Sequence, residues 1–352
     1  MWRWSTRKQN VHTETVKKVA LECGFELAGV ARAEPVPTEV SAYAEWARNG
    51  YAGEMRYLTD HRAGLRSDPR LLLPSARSVV SVGKLYNSPE PYSTEFGERD
   101  RAWISRYAWG EDYHVVLRTG LERLAAELRK IEAFEWKICV DTAPLLERTY
   151  ARQAGLGWIG RNTCLINQEM GSWFFLGELL VSLDLEPDAA PPDRCGTCTR
   201  CIDACPTMAI SPEGVLDSRR CISYFTIELR GAIPEEHRPA VENNVFGCDI
   251  CQDVCPWNQR APETLETEFA DRHHAPPLER LATLTEEEFR AMFRSSPVKR
   301  AKYSGFLRNV AVAMGATRLR KFRGPLERLA ESEDAMVAEH ARWSLDRLNG
   351  EA

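Results

Sequence analysis

A chain of 352 residues, 43% hydrophobic and 28% charged, has the composition of an ordinary soluble globular protein, with material for two or three domains. No stretch approaches the roughly 18 uninterrupted apolar residues of a membrane span; the best run, WFFLGELLVSL, is broken by Glu178, and the opening MWRWSTRKQN lacks the apolar centre of a signal peptide. The formal net charge of −5 argues against a nucleic-acid partner for the chain as a whole, so any such partner must be met by a local segment.

In chain order, TETVKKVALECGF has apolar residues at helical spacing and leads into ELAGVARA. SARSVVSVGKLYN reads as a strand, YHVVLRTGLERLAAELRKI as an amphipathic helix, and FEWKICVDT and GSWFFLGELLVSLDL as strands. This alternation over residues 1–187 predicts an α/β or α+β domain. The Pro- and Asp-rich EPDAAPPDRCG marks a boundary. Residues 188–262 are dominated by cysteine and lack long periodic runs, as expected where metal ligation replaces part of a hydrophobic core. After the polar TLETEFADRHHAPPLE, the patterns LTEEEFRAMFR, YSGFLRNVAVAMGA, PLERLAESED and AMVAEHARWSLDRLN predict helices over residues 275–352, in pairs of the α-solenoid kind.

Eight of the eleven cysteines lie between Cys195 and Cys255, and clustering without an export signal reads as metal ligation in a cytoplasmic protein rather than disulfides. A C-x2-C-x2-C run supplies three thiolates to a cubane from one tight turn; in two-cluster ferredoxins the cysteine before proline in each run crosses to the other cluster. Cys195, Cys198 and Cys201 would then share a cluster with Cys255, and Cys205 would join Cys248 and Cys251. The second set is short by one, and Cys221, in LDSRRCISYF, is the unassigned cysteine of this region. Eight sulfurs make two [4Fe–4S] clusters. Structural zinc, the alternative, takes paired knuckles rather than a third cysteine followed by Cys-Pro. Cys23, Cys139 and Cys164 read as buried small apolar residues. Paired cubanes serve either an electron carrier or a reaction centre in the same chain, and the long segment ahead of them favours the second.

The stretches ISRYAWGEDYH, CVDTAPLLER, GLGWIGRNTCLI and GSWFFLGEL, followed by CISYFTIELRG and FGCDICQDVCPWN, closely resemble the epoxyqueuosine reductase family over nearly the whole chain. The resemblance implies a cobalamin-binding N-terminal domain, a ferredoxin-like two-cluster domain and a C-terminal HEAT-like helical repeat that helps to hold tRNA. It implies an enzyme, a monomer without membrane attachment, that takes electrons from an external low-potential donor and removes the epoxide oxygen of epoxyqueuosine at the tRNA wobble position. DYHVVL, from Asp112, lacks the glycine of a full D-x-H-x-x-G cobalamin signature, so no histidine ligand to cobalt is inferred.

The family's proton donor falls on Asp141. That task asks for a raised pKa, whereas capping the helix predicted at APLLERTYARQ would lower it; Thr142 can cap instead, with Pro144 in the first turn. By resemblance, Arg106, Tyr107, Asn162, Thr163 and Ser172 are candidates to line the corrinoid, with Arg62, Gly247 and Asp249. Ordinary loop structure is the alternative for each. Between Arg290 and Arg328 stand eleven Lys or Arg and one acid, Glu327. Lys299, Arg300, Lys302, Arg308, Arg318, Arg320, Lys321 and Arg323 are therefore candidates for tRNA phosphates, unless the run is a solvated helical face. A corrinoid reductive dehalogenase and an RNA-binding iron–sulfur electron carrier are the competing functions.

Overall fold

Val79, Val80 and Val82 in SVVSVGKL, and nearly every residue of FFLGELLV, are buried whichever way they point, because the sheet they belong to is covered on both faces. A computed structural model describes residues 11–350; the segment MWRWSTRKQN lies outside the described residues. The strands are β1 (Leu27–Arg32), β2 (Ser78–Leu85), β3 (Trp103–Ile104), β4 (Trp136–Cys139), β5 (Trp158–Ile159), β6 (Leu165–Ile166), β7 (Phe174–Val181) and β8 (Asn244–Phe246). The main sheet has the order β1-β2-β7-β4 and is antiparallel throughout, which settles the class of this region as α+β.

The helices are α1 (Thr13–Glu22), α2 (Pro37–Arg48), α3 (Arg62–Leu65), α4 (Tyr113–Arg129), α5 (Glu147–Gln153), α6 (Arg200–Asp203), α7 (Ile250–Asp253), α8 (Leu278–Leu281), α9 (Glu286–Met292), α10 (Lys302–Thr317), α11 (Arg323–Ala330) and α12 (Ala335–Asn349). On one face of the sheet, Val16 and Ala20 of α1 and Leu117, Leu121, Leu124 and Leu128 of α4 meet Val80, Val82 and Leu179. The other face packs Val79 and Leu180 against Tyr150 and Ala151 of α5. Each of those fully buried leucines contributes roughly 2 kcal/mol.

The three regions read from composition do not have separate cores. Residues 102–109 pack with Val245 and Phe246 and with α8 to α12 in one apolar cluster, and β3 pairs in parallel with β8. Among the described residues no helix is long and apolar enough to cross a membrane.

Helix α10 is buried almost all round, and Arg308 within it is only 1% exposed. The expectation that Arg308 meets phosphate is therefore corrected. Its guanidinium donates to the carbonyl oxygens of Phe225 (2.5 Å), Leu229 (3.0 Å) and Gly231 (2.6 Å), while Asn309 donates to those of Thr226 (2.8 Å) and Val245 (2.9 Å). The carbonyls at 225 and 226 belong to a π-helical turn, Tyr224–Glu228, a rare and internally under-bonded element. Arg308→Met is expected to strand the buried carbonyls of Phe225 and Leu229 and lower stability by roughly 3 kcal/mol. A reduced thermal midpoint, with the salt dependence of RNA binding unaltered, is the result to look for.

Candidate active site and cluster cavities

Cys195, Cys198, Cys201 and Cys255 surround one cavity of about 250 Å³, together with Arg161, Arg194, Arg200 and Trp257. The crossover of Cys255 follows from the turns around α6 and α7, which pack side by side and present their cysteine loops to each other. A second group forms deeper. Burial pushes the Cys248 thiol well above its ordinary value, and the nearby Cys221 and Cys205 add to the effect. Burial raises Cys251 likewise, with Cys164, Cys248 and Cys221 near enough to contribute. Thiols crowded against one another and Asp249 are poor places for bare thiolate, so this donor set fits a cationic metal cluster. Cys23 and Cys139 are buried, whereas Cys164 is half-buried and lines a recess.

That recess, about 220 Å³, is walled by Tyr86, Tyr107, Tyr113, Phe174 and Phe175, with Ser172 and Gln252 at its polar end. It adjoins a larger cavity of about 540 Å³ lined by Tyr57, His114, Glu228, Lys299, Arg300 and Lys302. Asp141, Tyr107 and Tyr113 belong to both. Asp141 stands in a loop after β4 with φ at +51°, in the left-handed region that Asp tolerates better than most side chains. Its backbone N–H donates to Glu147 Oε1 (2.5 Å). Thr142 is not a helix cap: α5 begins only at Glu147 after Leu146, and the Thr142 hydroxyl turns back to the Val140 carbonyl (3.3 Å).

Asp141 Oδ2 lies 3.2 Å from His114 Nε2, and His114 Nδ1 lies 2.7 Å from Asp112 Oδ1. Asp112 caps α4 through the N–H of His114 (3.2 Å) and meets Lys299 Nζ at 2.9 Å. Burial disfavours the imidazolium, but hydrogen bonds to Asp112 and Asp141 outweigh it and raise His114 to about 9. Burial raises Asp141, but the His114 hydrogen bond and charge, with Arg300 at 3.8 Å, hold its carboxyl below the ordinary value. The expected raised pKa of Asp141 is thus corrected: its carboxyl is held down by the same contacts that hold the histidine up. Glu147 is pushed up by burial and by the charge of Asp141, and Glu178, wholly buried on β7, by burial and Glu147.

The other candidates divide. Tyr107 and Ser172 reach the recess with Asp141. Asn162 stands at the outer cluster cavity and donates to the Cys251 carbonyl (3.2 Å), so it bridges the two cysteine groups. Thr163, at φ +64°, presents its carbonyl to Arg148 (2.9 Å). Arg106 is 2% exposed and donates to the carbonyls of Ser88, Glu90 and Pro91 among Tyr92, Trp109 and Trp173, so it braces a loop and lines neither cavity. Asp249, also buried, accepts from Trp103 Nε1 (2.9 Å), the Ser105 hydroxyl and the Arg106 N–H (2.8 Å). A Cβ on Gly247, whose φ is +73°, would sit 2.4 Å from Ser105 Cβ, so glycine is required here by a close approach within the chain. Arg62 lies outside both cavities, paired with Asp60 at 2.6 Å.

Of the basic residues, Lys302, Arg318, Arg320, Lys321 and Arg323 are exposed, with Lys321 held by Asp100 (2.6 Å) and Arg323 by Asn349 (2.5 Å). Lys299 and Arg300 turn into the large cavity. His114, Glu147, Tyr57 and Glu228 were not expected from sequence. Only His114 had a signal, the incomplete DYH motif.

Fold and cavities together define an α+β redox protein that carries a two-cluster iron–sulfur module beside a polar, histidine-backed pocket. The chain is 41% identical over 337 residues to an epoxyqueuosine reductase of Xanthomonas campestris pv. campestris, covering 94% of each, and 38% identical over 340 residues to that of Escherichia coli K12, covering 96% of this chain and 89% of the other. It belongs to the epoxyqueuosine reductase family. Residues 66–142 match the family described as epoxyqueuosine reductase QueG, DUF1730, and residues 194–258 the 4Fe-4S double cluster binding domain. Among solved structures, an epoxyqueuosine reductase with an epoxyqueuosine-modified tRNA-Tyr stem loop superposes with a TM-score of 0.88 at 29% identity, covering 95% of this chain and 89% of that one. The Bacillus subtilis enzyme, with its catalytic aspartate loop swung out of the active site, gives 0.86 at 29% identity, covering 95% and 90%.

Proposed function

We propose that this chain reduces epoxyqueuosine to queuosine at the tRNA wobble position, with Asp141 passing the proton to the epoxide oxygen. The observation that carries this reading is the placement of Asp141 between a polar cavity large enough for a nucleobase and an aromatic recess lined by Cys164, which lies near Cys251 of the inner group, and by Gln252, the residue after it. The flat apolar walls and polar end of that recess fit a corrinoid edge, with Tyr107, Tyr113, Phe175, Ser172 and Gln252 the residues that would hold it. When bound, the clusters supply single electrons and cobalamin the strongly reducing centre that opens the carbon–oxygen bond. The inner cluster takes Cys205, Cys221, Cys248 and Cys251, and the outer one Cys195, Cys198, Cys201 and Cys255.

Deoxygenation turns the epoxide into an alkene and water, consuming a pair of electrons and a pair of protons. His114 stores one proton as imidazolium, fixed by Asp112, and Asp141 relays it over 3.2 Å. Because His114 lies above its ordinary 6.5, at about 9, this ion pair is intact below pH 6.5 and is lost as the pH climbs through about 9. Turnover is therefore expected to fall through a basic limb near pH 9 that is absent from His114→Asn; a limb retained by the variant would assign the proton elsewhere.

Residues 1–187 form the catalytic region, 188–262 the cluster region, and 275–352 a HEAT-like helical platform for the stem loop, in a cytoplasmic monomer reduced by an external low-potential carrier. Lys302, Arg318, Arg320, Lys321 and Arg323 supply phosphate contacts. Replacing Arg318 and Arg320 by Gln should flatten the salt dependence of stem-loop binding by about one unit of slope for each contact removed. The deciding experiment is nucleoside analysis of epoxyqueuosine-containing tRNA incubated with the protein, cobalamin and a strong reductant. Queuosine must appear at the expense of its epoxide; an unchanged nucleoside profile rejects the reading.

A further inference from the structure

The large cavity holds an ion pair whose carboxylate, Glu228, the proton-transfer chemistry does not use. Glu228 is the last residue of the π-helical turn, its side chain 17% exposed, and its Oε1 meets Arg300 Nε at 2.6 Å. Arg300 lies over the Tyr57 ring at 5.5 Å and reaches within 3.8 Å of Asp141. The turn that presents Glu228 is bonded to α10 through the carbonyls of Phe225 and Thr226, which accept from the buried Arg308 and Asn309, so α10 helps to fix the place of this carboxylate.

We propose that Glu228 and Arg300 form the base-reading site of this enzyme, Glu228 accepting the N1–H and 2-amino hydrogens of a 7-deazaguanine ring and Arg300 donating to its O6. The pairing of Glu228 Oε1 with Arg300 Nε leaves Oε2, a second lone pair on Oε1 and the terminal guanidinium nitrogens to a ligand. An acceptor beside donors is the complement of the guanine edge, whereas adenine would set a ring-nitrogen lone pair against the carboxylate. The geometry also fixes direction. O6 and the 7-substituent lie on the same side of the bicyclic ring, so a base docked by that edge sends its epoxide-bearing arm past Arg300 toward Asp141.

This inference rests on the proposed reaction, and its test separates the two. Fluorescence anisotropy is measured on the holoenzyme, with both clusters and cobalamin, using anticodon stem loops that carry 7-deazaguanosine or 7-deazainosine at the wobble position; the latter lacks only the 2-amino group. Wild type is expected to prefer the first loop by on the order of tenfold, and Glu228→Gln to lose that preference, with unchanged cluster and cobalamin spectra. Equal binding of the two loops by wild type overturns the assignment without recourse to any variant, and so does a preference that survives in Glu228→Gln. Turnover of epoxyqueuosine by wild type is scored separately: its failure strikes the reaction, whereas loss of discrimination alone strikes the base-reading site.

Discussion

Asp141→Asn is expected to lower turnover by at least about a hundredfold while both clusters and cobalamin remain bound. Asn matches Asp in shape and is at ease at positive φ, so the loop and the 2.5 Å contact from the backbone N–H of residue 141 to Glu147 are kept. What is lost is the atom that accepts a proton from His114 and passes it on. His114 also loses one of the two carboxylates that stabilise its charged form, so its own titration should move down from about 9. Single-turnover rates, iron content and the cobalamin spectrum measured on one preparation decide the matter. A variant with near-normal turnover would remove Asp141 from the relay and leave His114 to act directly.

The two-cluster module could be read from sequence because cysteine spacing is local: three cysteines come from one turn, and a second run ending in Cys-Pro follows downstream. The secondary elements were legible for the same reason, since valine and leucine periodicity reports burial directly. What could not be read was the direction of single polar side chains. Arg308 and Arg320 are equivalent in a charge count, yet one is sealed inside α10 by three carbonyls and the other is in water. Arg106 and Asp249 stand in motifs that resemble a cofactor loop, yet Arg106 braces the loop of Ser88, Glu90 and Pro91 and Asp249 braces the 102–109 segment, both from buried positions. The His114 contact also escaped sequence, because it depends on Asp112, His114 and Asp141 converging from a helix start and a distant loop.

Cys221→Ala should cost about half of the cubane iron, because it deprives one cluster of its fourth thiolate and leaves the other whole. The substitution is mild for the fold. Cys221 sits between a short 3-10 turn, Ser218–Arg220, and the π-helical turn, and the contact that Phe225 makes with it uses the backbone carbonyl (3.0 Å). The outer set of Cys195, Cys198, Cys201 and Cys255 is untouched, so a single-cluster electronic signature should persist while turnover disappears, the inner group being the one that reaches the recess through Cys164 and Gln252. Iron and sulfide per chain, with the spin signature of the reduced protein, give the count. Cys164 makes the test discriminating, since it too lies near Cys251. Cys164→Ala should retain full iron if Cys221 is the eighth ligand. Normal iron in Cys221→Ala together with half in Cys164→Ala would instead move the ligand into the loop between β5 and β6 and redraw the boundary between the cluster and the recess.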